Sequence, residues 1–242
     1  MNYLSLQIAV IDNGIVNGVI KNVDNIPQVG LDNKEQHHFQ LEKEVINHGT
    51  LCAGIIKKYA FDANIVSLKI MPEQVRNGAL NPLVDALNFC IDEGIKIANV
   101  SLGTNNPISI VLLGEIVKKA LEAGIVIVAS GNRHRLVYPA AYEAVIYCDV
   151  NKRYIPMDDS LYLEIAPNGQ KAIIASGRQK LNLNNGQKFV TPNYSSFSAP
   201  IVTSVIWRMM QEHRDYNSKR ICDDLYNYVL NKPSVHSNQA NI

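Results

Sequence analysis

Short apolar runs rich in valine and isoleucine recur along the chain: LQIAVID (6–12), ANIVSLKIM (63–71), IKIANVS (95–101), GIVIVAS (124–130), AVIYCDV (144–150) and YLEIAP (162–167). They lack the strict apolar–polar alternation of half-exposed strands, which predicts strands covered on both faces. Between the first four lie patterns of helical period over 48–60, 81–93 and 107–123. The third opens on Pro107 and closes on Gly124, the expected start and stop of a helix. After residue 150 the alternation loosens. RQKLNLNNGQKF (178–189) predicts a hairpin turning at Asn-Asn-Gly, and two more helices are expected over 196–213 and 217–230. Strand and helix in alternation at this spacing predict an α/β fold, a single three-layer doubly wound domain with a mostly parallel central sheet. The domain is expected to span 1–232, followed by a polar tail over 233–242.

Composition narrows the function classes. Of 242 residues 47% are apolar, enough to bury a full core in one domain. The formal net charge is +1 and no basic run stands out, so nucleic-acid binding has no electrostatic footprint. The apolar runs are too short to span a membrane. The opening MNYLSLQIAVIDNG has no positive segment and no small-residue cleavage site, and is expected to begin a strand. The four cysteines, Cys52, Cys90, Cys148 and Cys222, lie scattered in apolar runs without zinc or CxxC spacing, which predicts buried reduced thiols and a cytoplasmic protein. His37 and His38 sit in a polar stretch with no partner at ligand spacing, so a metal is not expected, and neither is a cofactor. Oligomeric state leaves no trace in the sequence.

In doubly wound sheets ligands gather at the carboxyl ends of the strands. The first run ends in Asp12, within AVIDNG; the third in NVSLG (99–103); the fourth in VASGN (128–132). One helix opens with NHGTLCAG (47–54), and another with YSSFSAPIV (194–202), where serines crowd before a proline. Singly these are turns and caps: Asp-Asn-Gly is turn-forming, and serine is a favoured N-cap.

Together, in this order, the segments resemble the subtilisin-like serine proteases, the subtilase family. IAVIDNGI is similar to that family's catalytic-aspartate segment, HGTLCAGI to its catalytic-histidine segment, NVSLG to its substrate-binding strand and IVIVASGN to the segment with its oxyanion asparagine. YPAAYEAVIY (138–147) fits a further family stretch, and YSSFSAPIV stands where the family has Gly-Thr-Ser-Met-Ala-Ser-Pro. The resemblance covers about residues 7 to 210, and Asp…His…Ser is the subtilisin order. It implies a subtilisin-like fold and catalysis by Asp12, His48 and Ser196, the serine four residues before Pro200. The oxyanion hole would be formed by Asn132 and the Ser196 backbone N–H. It further implies a pocket walled by Ser101, Leu102 and Gly103 on one side and Ala129, Ser130 and Gly131 on the other, with a peptide or protein substrate added as a strand. The sequence does not decide whether His134 and Arg135 touch that substrate.

Departures from the family pattern shape the remaining expectations. Tyr194 replaces the glycine before the nucleophile segment, where the backbone needs room, and is expected to narrow the cleft or displace Ser196. The Asn-rich loop that binds calcium in many subtilases is missing between HGTLCAGII and ANIVSLKI. Only RHRLV (133–137) separates Asn132 from Tyr138, so Arg133 is expected at the base of the pocket, disfavouring Lys or Arg before the scissile bond and tolerating apolar or acidic residues. Without an export signal or folding pro-segment, the resemblance implies a narrow-specificity intracellular processing or maturation protease. The alternative from another class is a catalytically weak or inactive peptide-binding module on the same fold, suggested by Tyr194. An esterase or peptide ligase would share the same acyl-enzyme.

Overall fold

The computed structural model describes residues 6–26, 46–70, 81–151, 161–213 and 217–230. At its centre lies β1 (Gln7–Asp12), whose interior side chains are all buried and therefore need cover on both faces. It pairs in parallel with β3 (Asn64–Lys69) and β4 (Ile97–Val100), setting Asp12 opposite Lys69 and Ile11 opposite both Leu68 and Val100. β2 (Val23–Ile26) lies beyond β3; beyond β4 follow β5 (Val126–Ser130), β6 (Ile146–Asp149), β8 (Lys171–Ile174) and β7 (Tyr162–Ile165). Every described pair within this sheet is parallel except β7 with β8. The predicted mostly parallel sheet is what forms.

Among the described residues five helices cover it: α1 (His48–Tyr59), α2 (Asn81–Asp92), α3 (Pro107–Glu122), α4 (Ser195–Glu212) and α5 (Ser218–Leu230). Because side chains alternate along a strand, Ile8 and Val10 of β1 join α1, α4 and α5 in one core, while Ala9 and Ile11 join α2 and α3 in the other. Trp207 packs against the first core and donates its indole N–H to the Leu6 carbonyl at 3.1 Å. The predicted hairpin forms a separate ribbon of β9 (Lys180–Asn182) and β10 (Lys188–Val190). Among the described residues no helix is long and apolar enough to cross a membrane.

Two strands escaped the sequence reading. VDNI of β2 carries two polar residues and sits at the sheet edge, and KAII of β8 is only four residues long beside a Pro-Asn-Gly turn. His37, His38 and the tail over 233–242 lie outside the described residues.

Candidate active site

Asp12 is the last residue of β1 and only 3% exposed. His48 opens α1, whose N-cap Asn47 accepts from the Thr50 N–H at 2.9 Å, an interaction worth about 1 kcal/mol in helix stability. Thr50 in turn accepts from the Val16 N–H at 2.8 Å, and Asn13 accepts from the Gly49 N–H at 2.9 Å. These bonds draw the start of α1 onto the turn after β1, and Gly49 permits the contact: a Cβ there would lie 2.3 Å from the Gly14 carbonyl oxygen. Gly14 has φ of 92°, the left-handed conformation that a glycine adopts freely. His48 Nδ1 is consequently 2.9 Å from Asp12 Oδ2 and 3.1 Å from Oδ1.

Ser196 comes from the far end of the chain. Its hydroxyl lies 2.9 Å from His48 Nε2, and the His48 ring stacks at 4.7 Å on Phe197, the next residue. None of the serines caps the helix. α4 begins at Ser195, and its N-cap is Tyr194, which makes no side-chain capping bond. The first N–H groups of α4, that of Ser196 included, are thus left without a side-chain cap, at the positive end of the helix dipole. Pro200 acts in the complementary direction. It has no N–H to offer the Ser196 carbonyl four residues back, and that carbonyl accepts instead from Ser101 Oγ at 3.2 Å and Cys52 Sγ at 3.6 Å. Ser101 is itself held by Asn99 Nδ2 at 2.9 Å, and Asn99 Oδ1 accepts from Thr203 of α4 at 3.1 Å. A buried polar ladder from β4 thus fixes the serine's backbone.

Tyr194 does not displace Ser196. Its backbone is extended, with φ of −116°, which any residue adopts, and its ring is 58% exposed. The room expected of a glycine at 194 is supplied opposite: a Cβ on Gly177 would lie 2.4 Å from the Tyr194 carbonyl oxygen. Gly177, whose N–H bonds Asn193 Oδ1 at 2.9 Å, is the residue the sequence reading missed, because nothing near it in sequence marks the contact.

The oxyanion candidate Asn132 follows β5 and lines a cavity of about 620 Å³ together with Tyr194 and Ser195. Ser195 Oγ donates to the Gly131 carbonyl at 2.8 Å, tying this turn to the start of α4. Asn132 Oδ1 accepts from the His134 N–H at 3.0 Å, so its Nδ2 donors are the part of the amide left for a ligand. Of the pocket-wall residues, Ser101 is buried and Leu102 half-buried. Gly103 lies close against Val137 and Tyr138, the last of which pairs with Thr104. Ala129 packs into the α2–α3 core, and Gly131 rests on the Tyr147 ring, so this wall is backbone rather than side chain.

Arg133 lines the same cavity as Gly131 and Asn132, with its charge already engaged. The cavity it lines is bounded by the ends of β5 and β6 and by Glu164 of β7, and residues 101–103 are not part of it. Its guanidinium donates to the Val150 carbonyl at 2.9 Å and pairs with Glu164 at 2.5 Å. A charge already met by a carboxylate does not repel a cationic substrate, so the expected exclusion of Lys and Arg loses its basis. Asp149, behind it, has its carboxyl raised above the usual range by burial, although Val150 N–H and Tyr147 OH both donate to it.

Cys52 Sγ lies 3.8 Å from Asp12 Oδ2 and 3.7 Å from His48 Nδ1, and burial, followed by the Asp12 charge, pushes its thiol well up. Asp12, His48 and Cys52 are the cluster among the described residues whose donor atoms approach one another closely enough to hold a metal, all within 4.8 Å. Their atoms already contact one another.

Comparison with known proteins places this chain among relatives. The family model for subtilases matches residues 5–238. A minor extracellular protease, Epr, of Bacillus subtilis is 35% identical over 117 residues, 43% of this chain and 18% of the relative. The major intracellular serine protease of the same organism is 26% identical over 176 residues, 66% of this chain and 53% of the relative. The chain thus spans about half or less of the length of these curated relatives. Among solved structures, the nisin leader peptidase NisP from Lactococcus lactis superposes with a TM-score of 0.67 at 16% identity, over 96% of this chain and 84% of the other. The fold is therefore subtilisin-like.

Proposed function

The chain belongs to the subtilase family, and from that premise we propose a serine endopeptidase that hydrolyses peptide bonds through an acyl-enzyme. The observation that carries the reading is the pair of contacts on His48, at 2.9 Å to Asp12 and 2.9 Å to Ser196. A carboxylate only accepts, so Nδ1 carries the imidazole proton and the Nε2 lone pair faces the hydroxyl. Ser196 Oγ attacks the scissile carbonyl carbon while its proton passes to Nε2, and Asp12 stabilises the imidazolium that results. The negative charge arriving on the carbonyl oxygen is met by the Ser196 backbone N–H and Asn132 Nδ2. The imidazolium then protonates the amine nitrogen, the C–N bond breaks, and an ester remains on Ser196. Water adds to the ester carbonyl as its proton goes to Nε2. The Ser196 Oγ–carbon bond then breaks, and Oγ regains a proton from the imidazolium.

The substrate in this reading is an extended peptide or protein segment laid along Ser101, Leu102 and Gly103, with Ala129, Ser130 and Gly131 opposite it. Arg133 stands in the neighbouring cavity, past Asn132. The exposed Tyr194 ring at that cavity's rim restricts what enters, which favours a narrow substrate range. We assign the chain to processing or maturation of such a segment inside the cell. Two relatives support this: one is named as an intracellular serine protease, and a leader peptidase has the same fold.

The test is covalent labelling with a fluorophosphonate probe, read by intact mass. Wild type should gain one adduct, and Ser196→Ala and His48→Ala should gain none. A folded wild type that stays unlabelled, or a Ser196→Ala variant that labels equally, overturns the reading.

A further inference from the structure

The turn over residues 131–135 carries the oxyanion donor, yet few of its bonds are its own. Arg135 N–H closes it onto the Asn132 carbonyl at 3.2 Å, and Gly131 N–H reaches the Cys148 carbonyl at 2.8 Å. Ser195 Oγ holds the Gly131 carbonyl and the Arg133 guanidinium reaches Val150 and Glu164, but the carbonyl of Asn132 itself is gripped by another side chain. Asn168 sits in the turn between β7 and β8, and its Nδ2 lies 2.9 Å from the Asn132 carbonyl oxygen, 3.2 Å from that of Arg135 and 3.3 Å from Tyr147 OH. One amide therefore bridges both ends of the oxyanion turn and the tyrosine beneath it. The Tyr147 ring supports Gly131, where a Cβ would come within 2.2 Å of a ring carbon. Asn168 is also held in one orientation. Its Oδ1 accepts from the Gln170 N–H at 3.0 Å, which settles which end of the amide points at the turn.

Resting on the reading above, we propose that Asn168 is a positioning residue for oxyanion stabilisation, holding the backbone of Asn132 so that Nδ2 meets the charge developing on the substrate. A donor in an oxyanion hole is useful only if it is already in place when the charge appears, because reorientation during the reaction would use up the stabilisation. Asn132 projects from a turn between strand ends rather than from a helix, so rigidity has to come from outside the turn. The bond to the carbonyl of Asn132 itself supplies it at the relevant residue.

The rate of phosphonylation by a fluorophosphonate probe tests this without knowledge of the natural substrate, since the phosphonyl oxygen occupies the same hole. Asn168→Asp is the informative variant. It keeps an oxygen for the Gln170 N–H, and so keeps its own turn, but sets an acceptor against two carbonyls. Asn168→Ala serves as the second variant, with thermal unfolding measured for both. Each is expected to label about 10-fold or more slowly than wild type, with Asn132→Ala slowed further, by up to about 100-fold. The decisive comparison is the double variant Asn132→Ala/Asn168→Ala. If Asn168 acts through Asn132, the double variant labels no more slowly than Asn132→Ala alone. A wild-type rate in Asn168→Asp, or penalties that multiply in the double variant, overturns the proposal while leaving the triad reading intact. A wild type that does not label at Ser196 removes both.

Discussion

The two halves of the site are built in different ways. On one side, Asp12, His48 and Ser196 each sit at the end of a regular element, and the bonds that orient them lie within a few residues of the reactive group or come from the next strand. On the other, the turn bearing Asn132 is held through its own Arg133 and by Asn168, Tyr147, Glu164 and Asp149, drawn from β6, β7 and the turn after it. The triad side relies on close backbone approach with little tolerance in volume. The oxyanion side relies on a polar network in which charge balance matters more than space. The first kind of construction fails through steric change, the second through loss of a partner.

The sharpest break of the triad side is Gly49→Ala. The new methyl would stand 2.3 Å from the Gly14 carbonyl oxygen and 3.2 Å from Asp12 Cβ, and both belong to the turn that must hold the carboxylate. Overpacking of this kind costs about 1–3 kcal/mol. The larger effect should be on rate, because pushing α1 off β1 lengthens the His48–Asp12 bond. Fluorophosphonate labelling should fall by two orders of magnitude or more, and a variant within about threefold of wild type would show that the turn yields without disturbing the triad.

On the oxyanion side the matching change is Glu164→Gln, which alters no volume. It leaves the Arg133 guanidinium facing the cavity without its carboxylate, and removes a charged acceptor from Asn151 Nδ2 at 2.9 Å. Loss of a half-buried, charge-assisted bond costs about 1–3 kcal/mol, so the melting temperature should drop by a few degrees. Selectivity should move as well. Peptide-library cleavage by the variant should shift toward acidic side chains in the position that occupies this cavity, whereas wild type should show no bias against Lys or Arg there. An unchanged profile would mean that substrate side chains do not reach Arg133.

The same contrast explains what could be read from sequence. The apolar runs that become β1, β3, β4, β5 and β6 and the helices between them are legible because burial on two faces leaves a continuous apolar signature. Asp12 and His48 lie in segments whose local chemistry reads as an ordinary turn and cap, and only the resemblance of IAVIDNGI and HGTLCAGI to subtilase motifs singles them out. Ser196 was identified only by counting back from Pro200, and the structure supplies the physical reason for that spacing: the proline frees the carbonyl that Ser101 takes up. The oxyanion network left no such mark. Asn168 looks like an ordinary turn residue in Pro-Asn-Gly, and Glu164 is one charge in a strand of four residues. The pairing of Arg133 is invisible for the same reason, since its partner lies 31 positions away. Gly177 and Tyr194 compensate each other across 17 residues, so the tyrosine alone suggested a defect that the pair does not have.

The smallest expected effect concerns Cys52, which sits on the triad side against Asp12 and His48 and has no part in the proposed reaction. It is 0% exposed, packed against Asp12, His48, Ser101 and the Ser196 carbonyl. Burial and the neighbouring carboxylate both disfavour its thiolate, and only the thiolate is an effective nucleophile. Cys90 is similarly raised by burial, to about 12, and Cys222 to about 11. Iodoacetamide at pH 8 should therefore leave the native mass and the labelling rate unchanged over an hour, while the unfolded chain is alkylated at all four cysteines. Rapid alkylation of Cys52 in the native protein would mean that α1 opens away from β1 on that timescale. The close packing at Gly49, which sets the triad side apart from the oxyanion network, would then be far looser than its contacts imply.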